Sequence, residues 1–217
     1  MGKFKKYFGI FLGVFIIFQV TIHVLKATKT IEGLTKLDLI SQVFFYPSNI
    51  VDVSELFGSS YDSLHYQVKY IIVHHDSIMS RGENMILDIN KYHKYDKGFG
   101  TIAYHYYIDA NGKIWKLHEH SQKLNHTGNN KLNHSTIAVC LSGNFEKQTL
   151  KKKQNSSLVK LLSYLTDTYN CEIRGHREVN KYTNCPGTHI DLKKLREEVK
   201  ENNLYAIIAN LIYQIEL

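Results

Sequence analysis

The chain has 217 residues, enough for one globular domain with appendages, and its 43% hydrophobic and 22% charged residues exclude disorder over most of its length. A formal net charge of +7 with histidines neutral suits an anionic partner, yet no zinc-finger spacing, helix-turn-helix or ribonucleoprotein signature accompanies it, so no nucleic-acid partner is expected. The three cysteines, Cys140, Cys171 and Cys185, cannot all pair. Buried free thiols are favoured over one disulfide, and cysteine usage does not fix the compartment.

Residues 1–6 form a short basic leader, Met1-Gly2-Lys3-Phe4-Lys5-Lys6. Residues 7–25 that follow hold no Asp, Glu, Lys or Arg and as a helix extend about 28 Å, the thickness of a bilayer core. With the positive charges in front, residues 1–26 are predicted to be a cytoplasmic leader and transmembrane signal-anchor, with the remainder extracytoplasmic. A signal peptide cleaved to release a secreted protein is the alternative, although residues 24–29 lack a small-x-small cleavage pattern. Residues 27–63 are small and polar near their end and are expected to be a juxtamembrane spacer.

From there the pattern becomes that of a folded domain, predicted over residues 64–202. Residues 68–75 read as a buried strand rich in Val, Ile and Tyr, and residues 84–93 as a helix with Met85, Ile86, Ile89 and Tyr92 near helical spacing. Residues 102–108 and 113–117 read as strands joined by the turn Asp109-Ala110-Asn111-Gly112. Residues 136–141 form another apolar strand. Leu158, Leu161, Leu162, Leu165 and Tyr169 mark one face of a helix, residues 171–174 a short strand, and residues 192–199 a closing helix. Strands and helices alternate, so the expected fold class is α/β: a central mixed β-sheet flanked by helices. Residues 203–217 form a separate amphipathic tail whose stripe of Leu204, Ile207, Ile208, Leu211, Ile212 and Ile215 either packs on the domain or meets a membrane surface or partner.

Two stretches carry chemistry. Residues 70–75 run Tyr70-Ile71-Ile72-Val73-His74-His75, an apolar strand ending in imidazole. About a hundred residues later, Gly175-His176-Arg177 leads through a loop to Cys185-Pro186-Gly187. One histidine from a strand end plus a His and a Cys from a loop is the ligand count of a catalytic zinc site, which keeps a fourth position open. Side chains alternate along a strand, so only one of His74 and His75 can face such a site.

Taken in order, Ile72-Val73-His74-His75, Tyr104-His105-Tyr106-Tyr107, His126-Thr127-Gly128, Thr136-Ile137-Ala138-Val139-Cys140-Leu141-Ser142-Gly143-Asn144-Phe145, Gly175-His176-Arg177 and Cys185-Pro186-Gly187 resemble the type 2 N-acetylmuramoyl-L-alanine amidases, a family that includes amidase-type phage lysozymes and animal peptidoglycan recognition proteins. The resemblance covers roughly residues 64–200. It implies Zn2+ held by His74, His176 and Cys185, with Tyr104 and Thr183 as catalytic groups and His126, His105 and Lys181 toward substrate. Relatives carry Lys or Thr at the position of Thr183, and Lys181 is the alternative group to reach the scissile carbonyl. The implied activity is hydrolysis of the amide between N-acetylmuramic acid and L-alanine in peptidoglycan or muropeptides, by a monomer. The alternative is a non-catalytic peptidoglycan-binding module on the same fold, and binding-only relatives commonly lack the Cys that stands here as Cys185. An alkaline phosphatase fused after Ser60 is expected to be active in a bacterial host; an inactive fusion at normal expression overturns the extracytoplasmic placement.

Overall fold

The computed structural model describes residue 47 and residues 49–58, 63–64, 66–79 and 85–215. Six strands form one mixed sheet: β1 (Ile50–Asp52), β2 (Tyr70–His75), β3 (Tyr106–Ile108), β4 (Ile114–Lys116), β5 (Thr136–Leu141) and β6 (Glu172–Gly175), in the order β1-β4-β3-β5-β2-β6. β2 runs parallel to both β5 and β6, β3 is parallel to β5, and the β3–β4 hairpin is antiparallel. The helices are α1 (Met85–Lys91), α2 (Asn130–Asn133), α3 (Lys152–Tyr169), α4 (His176–Val179) and α5 (Leu192–Ile215). The predicted mixed sheet with flanking helices is therefore present.

Alternation along the two longest strands, β2 and β5, sorts the core. Ile71 and Val73 of β2, with Ile137, Val139 and Leu141 of β5, face a layer built from Leu158, Leu161, Leu162 and Leu165 of α3 and Leu192, Leu195 and Val199 of α5. The opposite face, with Cys140 and Tyr107, is covered by Met85, Ile86 and Ile89 of α1 together with Ile102 and Leu117. Parallel strands covered on both faces carry the continuous apolar runs that the sequence displays.

Several boundaries differ from expectation. Residues 27–63 are not a spacer throughout, because Ile50–Asp52 pairs in parallel with Ile114–Lys116 and extends the sheet. The strand expected at residues 102–108 is regular only from Tyr106. His105 donates its backbone N–H to the Ala138 carbonyl, but its ring Nδ1 takes the Ala138 N–H, each at 3.0 Å, so a side chain replaces a ladder bond. Helix α1 ends at Lys91 in a π-helical turn, Tyr92–Asp96. The closing helix and the tail are one continuous helix, α5, on which Leu204 and Ile207 stay exposed rather than packing on the domain. All three cysteines are free. Among the described residues no helix is long and apolar enough to cross a membrane. The predicted anchor at residues 7–25 lies outside the described residues, as do the leader and most of the spacer.

The loop after α4 is docked on the turn after β5 by close backbone approach. Gly187 sits at φ +102°, and a Cβ there would lie 2.4 Å from the Phe145 carbonyl carbon. His189 N–H donates to the Phe145 carbonyl at 2.9 Å across the contact, and Arg177 braces the loop by donating to the carbonyls of Gly187 and Ile190 at 2.7 and 2.8 Å. Gly187→Ala is expected to destabilise the protein by at least about 2 kcal/mol, because left-handed backbone strain adds to a clash that no rotamer relieves. Urea denaturation checks this, and an unchanged midpoint would show that the loop shifts freely.

Candidate metal centre

The parallel pairing of β2 with β6 reaches Val73 opposite Gly175 and stops. The next residue on each strand is a histidine, His74 on β2 and His176 at the first position of α4, and their ring centroids lie 4.5 Å apart. The loop held by Arg177 and Phe145 returns Cys185 to the same place, with Sγ 3.7 Å from His74 Nδ1. One donor atom from each of His74, His176 and Cys185 lies within 4.8 Å of the other two. Open α/β sheets place ligands at the carboxyl ends of their strands, and this cluster sits there.

The donor set fits zinc. A tetrahedral site with Zn–N near 2.0 Å and Zn–S near 2.3 Å sets N and S about 3.5 Å apart, close to the separation found here. The nitrogens are also correctly presented. His176 Nε2 lies 3.2 Å from the Thr127 carbonyl, which only accepts, so Nε2 carries the proton and Nδ1 keeps its lone pair. His74 Nε2 is 3.0 Å from His126 Nδ1, leaving Nδ1 directed at Cys185. Burial holds the His74 and His176 imidazoles below their ordinary pKa, and therefore neutral. Burial pushes the Cys185 thiol up to about 12, while the His75 backbone N–H, 3.4 Å from the sulfur, and the Arg177 charge favour the thiolate. A bound cation tips that balance to the ligating thiolate.

The cluster floors a cleft of about 690 Å³. One wall comes from α1 and the π-helical turn, with Ile89, Tyr92 and His93, and the other from Asn125, Gly128 and Asn180. Tyr104 lines the cleft with its ring centroid 5.3 Å from that of His74. Burial raises its phenol well above the ordinary range, so it is a hydrogen-bond donor at neutral pH.

The other predicted site residues fall differently. Thr183 is half-buried and its Oγ1 accepts the Cys185 N–H at 3.1 Å, which leaves its hydroxyl proton available. Lys181 is exposed, with Nζ over the Tyr182 ring at 5.1 Å. His105 does not reach substrate space: it is fully buried, and its Nε2 donates to the Gln122 carbonyl at 2.9 Å. His126 borders the cleft, but both its ring nitrogens are taken, by His74 and by Thr136 Oγ1 at 2.9 Å. His75 faces the opposite side of the sheet, where its ring stacks on Phe145, accepts the Phe145 N–H and bonds Ser77 Oγ at 2.9 Å. His93 escaped sequence analysis. Its Nδ1 accepts the Ala103 N–H, and burial lowers it to about 4. A histidine ending an amphipathic helix just before Gly98-Phe99-Gly100 was the available signal.

His74, His176 and Cys185 thus form a convergent His, His, Cys donor group at the carboxyl end of a mixed sheet. The model for the family N-acetylmuramoyl-L-alanine amidase matches residues 64–188, and the chain belongs to that family. It is 34% identical over 95 residues to peptidoglycan-recognition protein SD of Drosophila simulans, a match over 41% of this chain and 48% of that relative's length. Its fold is similar to the endolysin N-acetylmuramoyl-L-alanine amidase LysCS from Clostridium intestinale, with TM-score 0.62 and 23% identity over 72% of this chain and 98% of the other. It is also similar to the crystal structure of Drosophila peptidoglycan recognition protein SD, with TM-score 0.56 and 22% identity over 65% and 89%.

His74→Ala is expected to abolish stoichiometric zinc binding, measured by elemental analysis. His75→Ala should retain zinc and lose only stability, through the bonds to Phe145 and Ser77. Equal loss of zinc in both variants would mean that the ligand on β2 is misassigned.

Proposed function

We propose that the protein is a zinc-dependent amidase that hydrolyses the bond between the lactyl group of N-acetylmuramic acid and L-alanine in peptidoglycan or muropeptides. The observation that carries this is the convergence of His74, His176 and Cys185 at the floor of an open cleft, in a chain of this family. A module that only bound peptidoglycan would have no need of three converging metal donors with prepared tautomers.

An unactivated amide is a poor electrophile and water a poor nucleophile at neutral pH. When bound, zinc supplies a Lewis acid that addresses both problems. The chain's own residues do the rest. His74 and His176 present neutral nitrogens, and the His75 N–H steadies the sulfur of Cys185. Tyr104, protonated and lining the cleft, is the group that would donate a hydrogen bond to the carbonyl oxygen as negative charge develops there. Thr183, bound to the backbone of Cys185 and outside the cleft lining, contributes less. The α1 wall, with Ile89, Tyr92 and Phe99, offers apolar and aromatic surface to the substrate and restricts water. The leader and the apolar run at residues 7–25 support placement on the outer side of a membrane, where peptidoglycan is found.

The test incubates the purified full-length protein, loaded with zinc, with peptidoglycan fragments and reads the products by mass spectrometry. Separation of free stem peptide from intact glycan is the expected result, lost with a strong chelator and regained with zinc. Tyr104→Phe should keep zinc content and fragment affinity while turnover falls by about 10²–10³, the size expected for one oxyanion donor. Full turnover in Tyr104→Phe would reduce the phenol to a packing residue.

A further inference from the structure

The dipeptide His126-Thr127 touches both imidazole ligands. The His126 ring bonds His74 Nε2 at 3.0 Å, and the Thr127 carbonyl accepts from His176 Nε2 at 3.2 Å. Behind them lies a buried chain of bonds that ends in a carbonyl. Thr136, wholly buried on β5, has its Oγ1 3.2 Å from the Leu132 carbonyl and 2.9 Å from His126 Nε2. A carbonyl only accepts, so the Thr136 hydroxyl donates to Leu132 and its oxygen accepts the His126 Nε2–H. His126 Nδ1 is then a lone pair that accepts the His74 Nε2–H, and His74 Nδ1 keeps its own lone pair for the site. Each bond sets the direction of the next. Thr127 is fixed separately: the Asn133 Oδ1 accepts from the Thr127 backbone N–H at 3.0 Å and from Thr127 Oγ1 at 2.7 Å. Asn180 Nδ2 also donates to the Thr127 carbonyl at 3.0 Å.

We propose that His126-Thr127 is the positioning element of the metal centre, and that the Thr136–His126–His74 relay sets the tautomer that leaves His74 Nδ1 free to ligate. The inference rests on the metal reading of the triad. It assigns His126 a structural task toward His74 in place of a substrate contact, and gives Thr136, which touches neither donor triad nor cleft, control over ligand geometry.

The relay predicts an effect from a residue remote from the cleft. Thr136→Val keeps the shape of a buried strand residue but removes the acceptor. His126 Nε2–H then has no partner, so the ring favours the tautomer protonated on Nδ1. That proton points at His74 Nε2 and drives the His74 proton onto Nδ1, where the metal should sit. Two measurements on the full-length protein read this. In the metal-free protein, nitrogen NMR shifts should report His74 protonated on Nε2 in wild type and substantially on Nδ1 in Thr136→Val. Zinc affinity by chelator competition should fall by about 10-fold or more, the usual range for loss of an outer partner of a ligating histidine. Thr136→Ser, which restores the hydroxyl, should recover both. His126→Asn, whose amide oxygen replaces Nδ1 as acceptor, should bind zinc more tightly than His126→Leu. The proposal is overturned if Thr136→Val leaves the His74 tautomer and zinc affinity unchanged, or if Thr136→Ser is as impaired as Thr136→Val. A wild-type protein that takes up no zinc would sink the metal reading instead, while the metal-free tautomer would still decide the relay.

Discussion

Parallel hydrogen bonding between β2 and β6 ends at the Val73–Gly175 pair, and the geometry of the site follows from where it ends. Side-by-side parallel strands that stop in register release their next residues at the same height and in neighbouring columns. Here both residues are histidines. A slip of one residue would turn His74 into the layer occupied by His75 and Phe145 and separate the two imidazoles. The apolar side chains that lock the register, Ile71 and Val73 with Ile173, are all buried, Ile71 and Val73 completely. The hydrophobic layer under α3 and α5 thus holds the metal donors in place from a distance.

The polar machinery around the site is arranged so that few groups are left to choose their own protonation. Burial keeps His74, His126 and His105 neutral, and each is matched to partners that define which nitrogen bears the proton. Asp76, the first residue beyond β2, accepts the Tyr107 hydroxyl at 2.7 Å and the Gly143 N–H at 2.9 Å, which joins the ends of three adjacent strands beside the cleft. Such networks are costly when half satisfied and rigid when complete. Rigidity is what a metal site with an open position requires, since a missing fourth ligand cannot help to hold the other three.

Much of this was legible in the chain. The alternation along β2 shows that only one of His74 and His75 can face the site, the resemblance points to His74, and the leucine spacing of α3 matches the residues buried in the core. Other features were not, for identifiable reasons. His126 and His105 lie in motifs associated with the cleft, but whether a ring nitrogen faces substrate or a neighbouring chain depends on tertiary neighbours that local pattern does not encode. The three residues of β1 include strand-forming Ile50 and Val51 but are too few to show a period. The continuity of α5 was hidden by Glu201, Asn202 and Asn203, which break the apolar stripe; in the structure Asn202 bonds Ser163 and Asn203 bonds Thr166, so those polar residues face α3.

The placement of β1 bears on how the protein can be cut. The family match spans residues 64–188, a natural choice for a minimal soluble fragment. That fragment would lack Ile50–Asp52 and leave one side of β4 with unpaired backbone groups, a surface on which other chains can add strands. It would also remove Leu192, Leu195 and Val199, uncovering part of the layer beneath β6. A truncated protein of this kind would carry every donor and yet be prone to self-association, and its failure to bind metal would say little about the chemistry of the intact molecule.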